Sequence, residues 1–365
     1  MAPRRVLILI GQLARGGAER QVHELARRLP RDRFVPTVAT FEAGGHYQPL
    51  LEAAGVEVAV IAKDGWREAM APARLAALMR SRGIDLVHAF LFPANWRAVL
   101  SGKLAGGRPT LCAVRSTGVW MNSRHRMMDR MALRRADAVV ANAPAVRDDL
   151  IARAGVDPGR VRVILNGVDS DLFHPAGLGR DAVEVSGGHP AIGFVGSLRE
   201  AKDPRLFMGI ARLVAERLPA ARFTIVGDGP LRGALERLAS EGALAGRVRF
   251  LGERNDIPDL MRGLDVLAVT SLREGCCNAI LEAMASGVAV AATAVGGNPD
   301  LVRPGVDGLL FPHGDAAGGA DAVLALLTDG ARASVLRASA LARARERFSV
   351  EAMVRETSAL YEELS

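Results

Sequence analysis

The stretch SLREGCCNAILEAMASG, residues 271–287, places Glu274 just before an apolar run of helical spacing and Glu282 inside it, eight positions on. The preceding DVLAVTS reads as a buried strand, LREGCCN as its C-terminal loop and AILEAMASG as a helix closed by Gly287. A carboxylate in such a loop accepts hydrogen bonds from sugar hydroxyls. The backbone amides of Gly275, Cys276, Cys277 and Asn278, at the start of the helix, suit a phosphate. Glu282, one turn into the helix, is expected to meet the next part of the same ligand, where a ribose diol would suit it. A retaining glycosidase also needs two carboxylates, about 5 Å apart. The other loops favour a nucleotide-sugar.

Those loops follow other strand-like runs. GSLREAKDP presents Ser197, Arg199 and Lys202 ahead of a helix begun by Asp203 and Pro204, and cations beside a helix start make either a phosphate site or a solvated loop. GQLARGGAER carries Gly16 and Gly17 before a helix with Glu19 in its first turn; the glycines either admit a ligand to the backbone or serve a sharp turn. VGDGPLRG offers Gly227 and Gly229, but Arg232 stands where a dinucleotide fingerprint needs its third glycine, which argues against a nicotinamide cofactor.

Short β-branched runs (RVLILI, PTVAT, VEVAVIA, DLVHAF, TLCAVR, ADAVVAN, RVRVIL) alternate with amphipathic stretches. Strands apolar on both faces and separated by helices specify a parallel sheet covered on both sides. The rhythm breaks at FHPAGLGRDAVEVSGGHP and restarts with AIGFVGSL, RFTIVGDG, VRFLG, DVLAVTS and VAVAATAV. The expected organisation is an α/β domain over 1–172, a linker over 173–190 and a second α/β domain over 191–348. The last helix, within 349–365, has an apolar face of Val350, Met353, Val354, Leu360, Tyr361 and Leu364. Ligands of open α/β sheets bind beyond the C-terminal strand ends, where the motifs above fall.

A chain of 365 residues suits two domains rather than one core. The formal charge of +7 favours phosphates, acidic sugars or anionic headgroups, or reflects nothing more than a preference for arginine codons. Few aromatics interleave with the arginines, which argues against nucleic acid. Cys112, Cys276 and Cys277 form neither a disulfide framework nor a four-ligand zinc site, and a reducing, cytoplasmic setting fits. No run reaches the roughly 18 apolar residues of a membrane span. In WMNSRHRMMDRMALRR, Arg124, His125, Arg126, Arg130, Arg134 and Arg135 alternate with Met121, Met127, Met128, Met131 and Leu133. This is either an ordinary domain helix or a basic amphipathic one that meets an anionic membrane through residues 120–135.

Taken together, RGGAERQ, ADAVVANAPAVRDDL, RVRVILNGVD, GFVGSLREAKDP, FTIVGDGPLRGALE, VRFLGERNDIPDLM and SLREGCCNAILEAMASG with AVGGNPDLV resemble the retaining family 4 glycosyltransferases of the GT-B fold over nearly the whole chain. The glutamate pair with seven residues between is the most specific of these motifs. The resemblance implies α/β architecture with two Rossmann-like domains facing across a cleft and a final helix that crosses back onto the first. It implies a nucleoside-diphosphate sugar as donor, with UDP the default nucleotide, a saccharide or lipid-linked acceptor, and no cofactor or metal.

By the same resemblance Glu274 would hold the donor sugar and Glu282 the ribose, Lys202 would neutralise the diphosphate, and Arg254 and Asn255 would pass near the base. Gly16 and Gly17 would let donor and acceptor approach the first domain. Two departures stand out. Ser197 replaces a frequent arginine, so either Arg199 substitutes or the site is weaker. Arg115 with Ser116 stands where many members have histidine, and the nearest histidine candidate is His88 after DLV, with either a direct role or that of a satisfied strand-end histidine. A nucleotide-sugar epimerase and a non-catalytic binding protein are the competing readings.

Overall fold

The computed structural model describes residues 2–61, 67–116, 121–175 and 189–364. The chain divides into two compact units, Met1–Gly167 with Val350–Ser365, and Val168–Ser349. Most of the expected linker, 176–188, lies outside the described residues.

In the first unit, β1 (Arg4–Ile10), β2 (Phe34–Thr40), β3 (Glu57–Val60), β4 (Leu86–Phe90), β5 (Thr110–Val114), β6 (Ala138–Ala141) and β7 (Val161–Val163) form one parallel sheet in the order β3-β2-β1-β4-β5-β6-β7. The unbroken apolar run of β1 splits between the two faces. Ile8 and Ile10 join one core cluster, Leu7 and Leu9 another, as the two-residue period of a strand requires.

The helix Gly17–Arg28 covers the first face with Val22, Leu25 and Ala26. Its acidic first turn (Glu19) and basic last turn (Arg27, Arg28) complement the helix dipole. The last helix, Val350–Glu363, buries Val350, Met353, Val354, Leu360 and Tyr361 in the same cluster.

Under that helix lies His88, the histidine candidate of the sequence. The residue stands in the middle of β4 and is 2% exposed. Its Nδ1 lies 2.8 Å from the Tyr361 hydroxyl, and Phe90 and Tyr361 pack against the ring. Strand parity turns it into the core, where its contacts are those of a structural histidine.

Burial, helped by the charge of Arg115, lowers the His88 pKa from 6.5 to about 3. Between those values the unfolded chain binds a proton that the folded chain refuses, so folding stability is full above about pH 6.5 and is lost as pH falls toward about 3. The limiting slope is about 1.4 kcal/mol per pH unit. Urea midpoints measured from pH 7 to 5 should fall for the native chain and fall less steeply for His88→Gln. Parallel slopes would remove His88 as the cause.

In the second unit, β8 (Ala191–Val195), β9 (Arg222–Val226), β10 (Val248–Gly252), β11 (Val266–Val269), β12 (Ala289–Thr293) and β13 (Leu309–Phe311) form a parallel sheet in the order β10-β9-β8-β11-β12-β13. The chain winds from β8 to one side and from β11 to the other, so the loops after these neighbours diverge and leave a crevice at the switch point. The loop after β8 contains Lys202 and the loop after β11 contains Glu274. Among the described residues no helix is long and apolar enough to cross a membrane.

Candidate functional site

The two switch-point loops of the second unit bring Lys202 and Glu274, 72 residues apart in sequence, into an ion pair between Nζ and Oε1. Ser271 donates its hydroxyl to the same carboxylate oxygen at 2.6 Å. The pair is not sealed off, since the lysine side chain is 30% exposed and the glutamate 10%. Burial opposes the ammonium charge, but the Glu274 carboxylate outweighs it and the Lys202 pKa stands above its ordinary value. Lys202 is therefore a fixed cation throughout the physiological range, with further N–H donors to offer.

The backbone beneath Glu274 depends on glycine. Gly296, in the loop after β12, has φ +51, and a Cβ there would stand 2.0 Å from the Glu274 carbonyl oxygen. Gly227, after β9, has φ +127, and a Cβ would stand 2.0 Å from the carbonyl oxygen of Gly196. Strand-end loops from β8, β9, β11 and β12 thus close on one another at backbone distance, which side chains would prevent. Gly229 packs in the same way on the backbone of Leu198.

After Glu274, Gly275, Cys276 and Cys277 are buried and the helix Asn278–Ala285 begins. Burial, with the nearby Glu274 charge, pushes the Cys277 thiol up to about 12. Cys277 is therefore a small neutral floor to the site and not a nucleophile. Asn278 is half-buried at the first helical position, and Glu282 lies on the buried side, 4% exposed. Ser197 and Arg199 are exposed on the β8 loop. Arg254 forks onto Asp256 at 2.8 and 2.6 Å, which holds that carboxyl below its usual range, and Asn255 beside it is exposed.

The first unit gathers a separate polar group at its strand ends. Arg115, just past β5, donates to Asn166 Oδ1 at 2.6 Å and stacks over Phe90. Asn142 donates to the Arg115 carbonyl at 3.2 Å. Glu19 is 8% exposed, and burial raises its pKa against the opposing pull of its own N–H and the Arg115 charge. Gly16 is extended (φ −170), and a Cβ there would meet Glu19 Oε2 at 2.1 Å, so its missing side chain makes room for that carboxylate. Gly17, the first residue of the helix, is exposed. Sequence reasoning assigned no role to Asn142, Asn166, Ser271, Thr270 or His313. The only signal for the first two was their place in the quoted motifs ADAVVANAPAVRDDL and RVRVILNGVD.

Two family models cover most of the chain. Residues 15–172 match that of Glycosyltransferase Family 4 and residues 189–329 that of Glycosyl transferases group 1. The lipopolysaccharide core biosynthesis mannosyltransferase of Rhizobium meliloti is 32% identical over 66% of this chain and 70% of its own length. This chain belongs to the family 4 glycosyltransferases.

The glycosyltransferase is also 29% identical to the D-inositol 3-phosphate glycosyltransferase of Salinispora tropica, over 95% of this chain and 81% of that one. Among solved structures, Anabaena HepE in complex with UDP superposes with a TM-score of 0.88 at 25% identity, covering 98% of this chain and 100% of that one. A Rickettsia africae glycosyltransferase reaches 0.86 at 18% identity over 100% and 99% of the two chains, a likeness of fold alone. The glycosyltransferase has the GT-B fold, and both sequence motif and sheet topology agree with it.

Proposed function

We propose that this glycosyltransferase moves a sugar, with retention of anomeric configuration, from a nucleoside-diphosphate sugar to a saccharide or lipid-linked acceptor in cell-surface polysaccharide or glycolipid synthesis. The observation that carries the reading is the Lys202–Glu274 pair at the β8/β11 switch point, with Glu282 further along the helix that follows. That HepE at 25% identity was solved with UDP-glucose supports a UDP-sugar as donor.

Departure of the nucleoside diphosphate builds negative charge on the leaving phosphate and positive charge at the anomeric carbon. Lys202 and the exposed Arg199, with the amides from Gly275 to Asn278, meet the first as donors fixed before reaction. Glu274 accepts from the sugar hydroxyls and so orients the reacting carbon, and Glu282 takes the ribose. Same-face attack, with the leaving phosphate accepting the acceptor's proton, gives retention without a protein base. Side-chain cations carry the phosphate charge in this scheme, so it needs no metal. Ser197 contributes a hydroxyl to the phosphate loop, and Arg254 and Asn255 lie toward the base.

On the first unit, Arg115 with Gly16 and Gly17 would receive the acceptor or the diphosphate. The helix Ser123–Leu133 exposes Met127 and Met131, at 57% and 44%, on a surface that also exposes Arg124, Arg126 and Arg130. That combination suits peripheral contact with the anionic inner face of the cytoplasmic membrane, where a lipid-linked acceptor would be met.

Thermal unfolding with UDP, GDP and ADP tests the donor site. A nucleotide at about 100 times its Kd stabilises the fold by roughly 2.7 kcal/mol. One nucleotide should raise the melting temperature of the native chain, and Glu282→Ala should lose that rise. No shift with any of the three at millimolar concentration would transfer the case to a non-catalytic fold relative. Donor conversion to an isomeric nucleotide-sugar without acceptor would instead establish an epimerase.

A further inference from the structure

Asp203 holds a backbone conformation that aspartate seldom takes, φ 42 and ψ 62, and it directly follows Lys202. Left-handed backbone at a residue other than glycine persists where surrounding bonds over-determine it, and it gathers at functional sites. Here the bonds come from several directions. Its N–H donates to the Glu200 carbonyl at 3.1 Å, and Oδ1 accepts from the Leu206 N–H at 3.1 Å, capping the helix Pro204–Arg217. The Thr270 hydroxyl, at the end of β11, reaches the Asp203 carbonyl at 2.9 Å and the Lys202 carbonyl at 3.1 Å. Oδ2 meets His313 Nε2 at 3.0 Å. A carboxylate only accepts, so this ring nitrogen is the donor.

His313 comes from the loop after β13, 110 residues further along the chain. Among the described residues, the other hydrogen bonds to Asp203 arise within its own loop and helix or from Thr270, just past the neighbouring strand β11. The histidine thus anchors the Lys202–Asp203 turn to the far edge of the sheet.

We infer that His313, acting through the Asp203 carboxylate, is a positioning residue that holds Lys202 in its place on Glu274. Lys202 is one of only three lysines among forty-seven basic side chains. A lysine ammonium sits on a flexible stem, so its placement depends on the backbone that launches it and on the partner that receives it. If Asp203 relaxes out of the left-handed region, the peptide joining it to Lys202 turns and the stem leaves from a different direction. The consequence for sugar transfer rests on Lys202 meeting the donor diphosphate, as proposed above. The positioning itself does not.

Two measurements separate these levels. The first is pulse acylation with acetic anhydride, read by mass spectrometry at Lys202 with the exposed Lys103 as internal reference. His313→Ala should raise labelling of Lys202 several-fold relative to Lys103, and His313→Gln, which keeps an N–H donor, should restore protection. Equal labelling in native and His313→Ala proteins of unchanged melting temperature would overturn the inference.

The second is donor turnover of His313→Ala made in the native and in the Lys202→Ala chains. A loss carried mainly by kcat in the first background and absent in the second is the expected result. Equal losses in both would show that His313 acts by another route and would also overturn the assignment. A native chain that turns over no nucleotide-sugar would refute the proposed function, while the labelling result would still decide the role of His313.

Discussion

Lys202→Ala should lower sugar transfer by about 10²–10³-fold, the size of effect that follows removal of one fixed donor aimed at developing charge. The loss should appear in kcat and kcat/KM together, because the diphosphate carries more charge on its leaving oxygen in the transition state than in the bound donor. The substitution also leaves the Glu274 carboxylate, 10% exposed, with Ser271 as its named hydrogen-bond donor. Lys202→Arg should recover only part of the rate, since a planar guanidinium cannot take the place of a compact ammonium on that oxygen.

The raised pKa of Lys202 adds a pH signature. The ammonium persists above its ordinary titration range, so the native rate should show no basic limb from this group between pH 7 and 9. Release of nucleoside diphosphate, followed with the native and variant chains at saturating and limiting donor, checks all three statements. A Lys202→Ala chain with native kcat would sink the assignment of Lys202 to the leaving group.

The largest effect on stability is expected in the other unit. Tyr361 is fully buried, packs edge-on against Phe34 at 5.6 Å between ring centroids, and holds His88 Nδ1 with its hydroxyl. Tyr361→Ala removes a large aromatic side chain from a close-packed core and should destabilise the first unit by about 4 kcal/mol. It also strips the hydrogen-bond partner from a buried imidazole whose Nε2 already has none among the described residues.

Tyr361→Phe keeps the ring and loses only the hydroxyl, with an expected cost of about 1–2 kcal/mol. Chemical denaturation with a probe in each unit should show the loss in the first unit's transition. If Tyr361→Phe costs as much as Tyr361→Ala, the hydroxyl–imidazole bond and not the packing holds the last helix down. If neither moves the transition, the helix contributes nothing to that core.

The residues met first in the sequence bear unevenly on the structure. Glu274 was legible because a lone carboxylate between a buried strand run and an apolar helical run has no structural partner in either pattern. Lys202 was legible as a cation ahead of a helix start. Their union was not, because strand order in a parallel sheet is set by how helices pack on its faces. Nothing local in GSLREAKDP says that β8 lies beside β11.

The sequence leaves His88 between two roles. The run DLVHAF places it on a strand, but only the packing of the last helix shows that parity turns the ring inward onto Tyr361. Gly16 and Gly17 read either as a ligand approach or as a sharp turn, and only the structure shows that the bare Gly16 Cα also makes room for the Glu19 carboxylate.

By itself the sequence determined the alternation of buried strands and amphipathic helices, the two-unit organisation it implies and which carboxylates, cations and glycines stand at the strand ends. Each of these follows from periodicity and residue type within about twenty neighbouring positions. Only the tertiary structure decided which loops meet: Lys202 with Glu274 across 72 residues and Asp203 with His313 across 110. Those contacts depend on strand order and on backbone approaches that glycines at 227 and 296 permit, and the pairing of distant loops leaves no periodic trace in the chain.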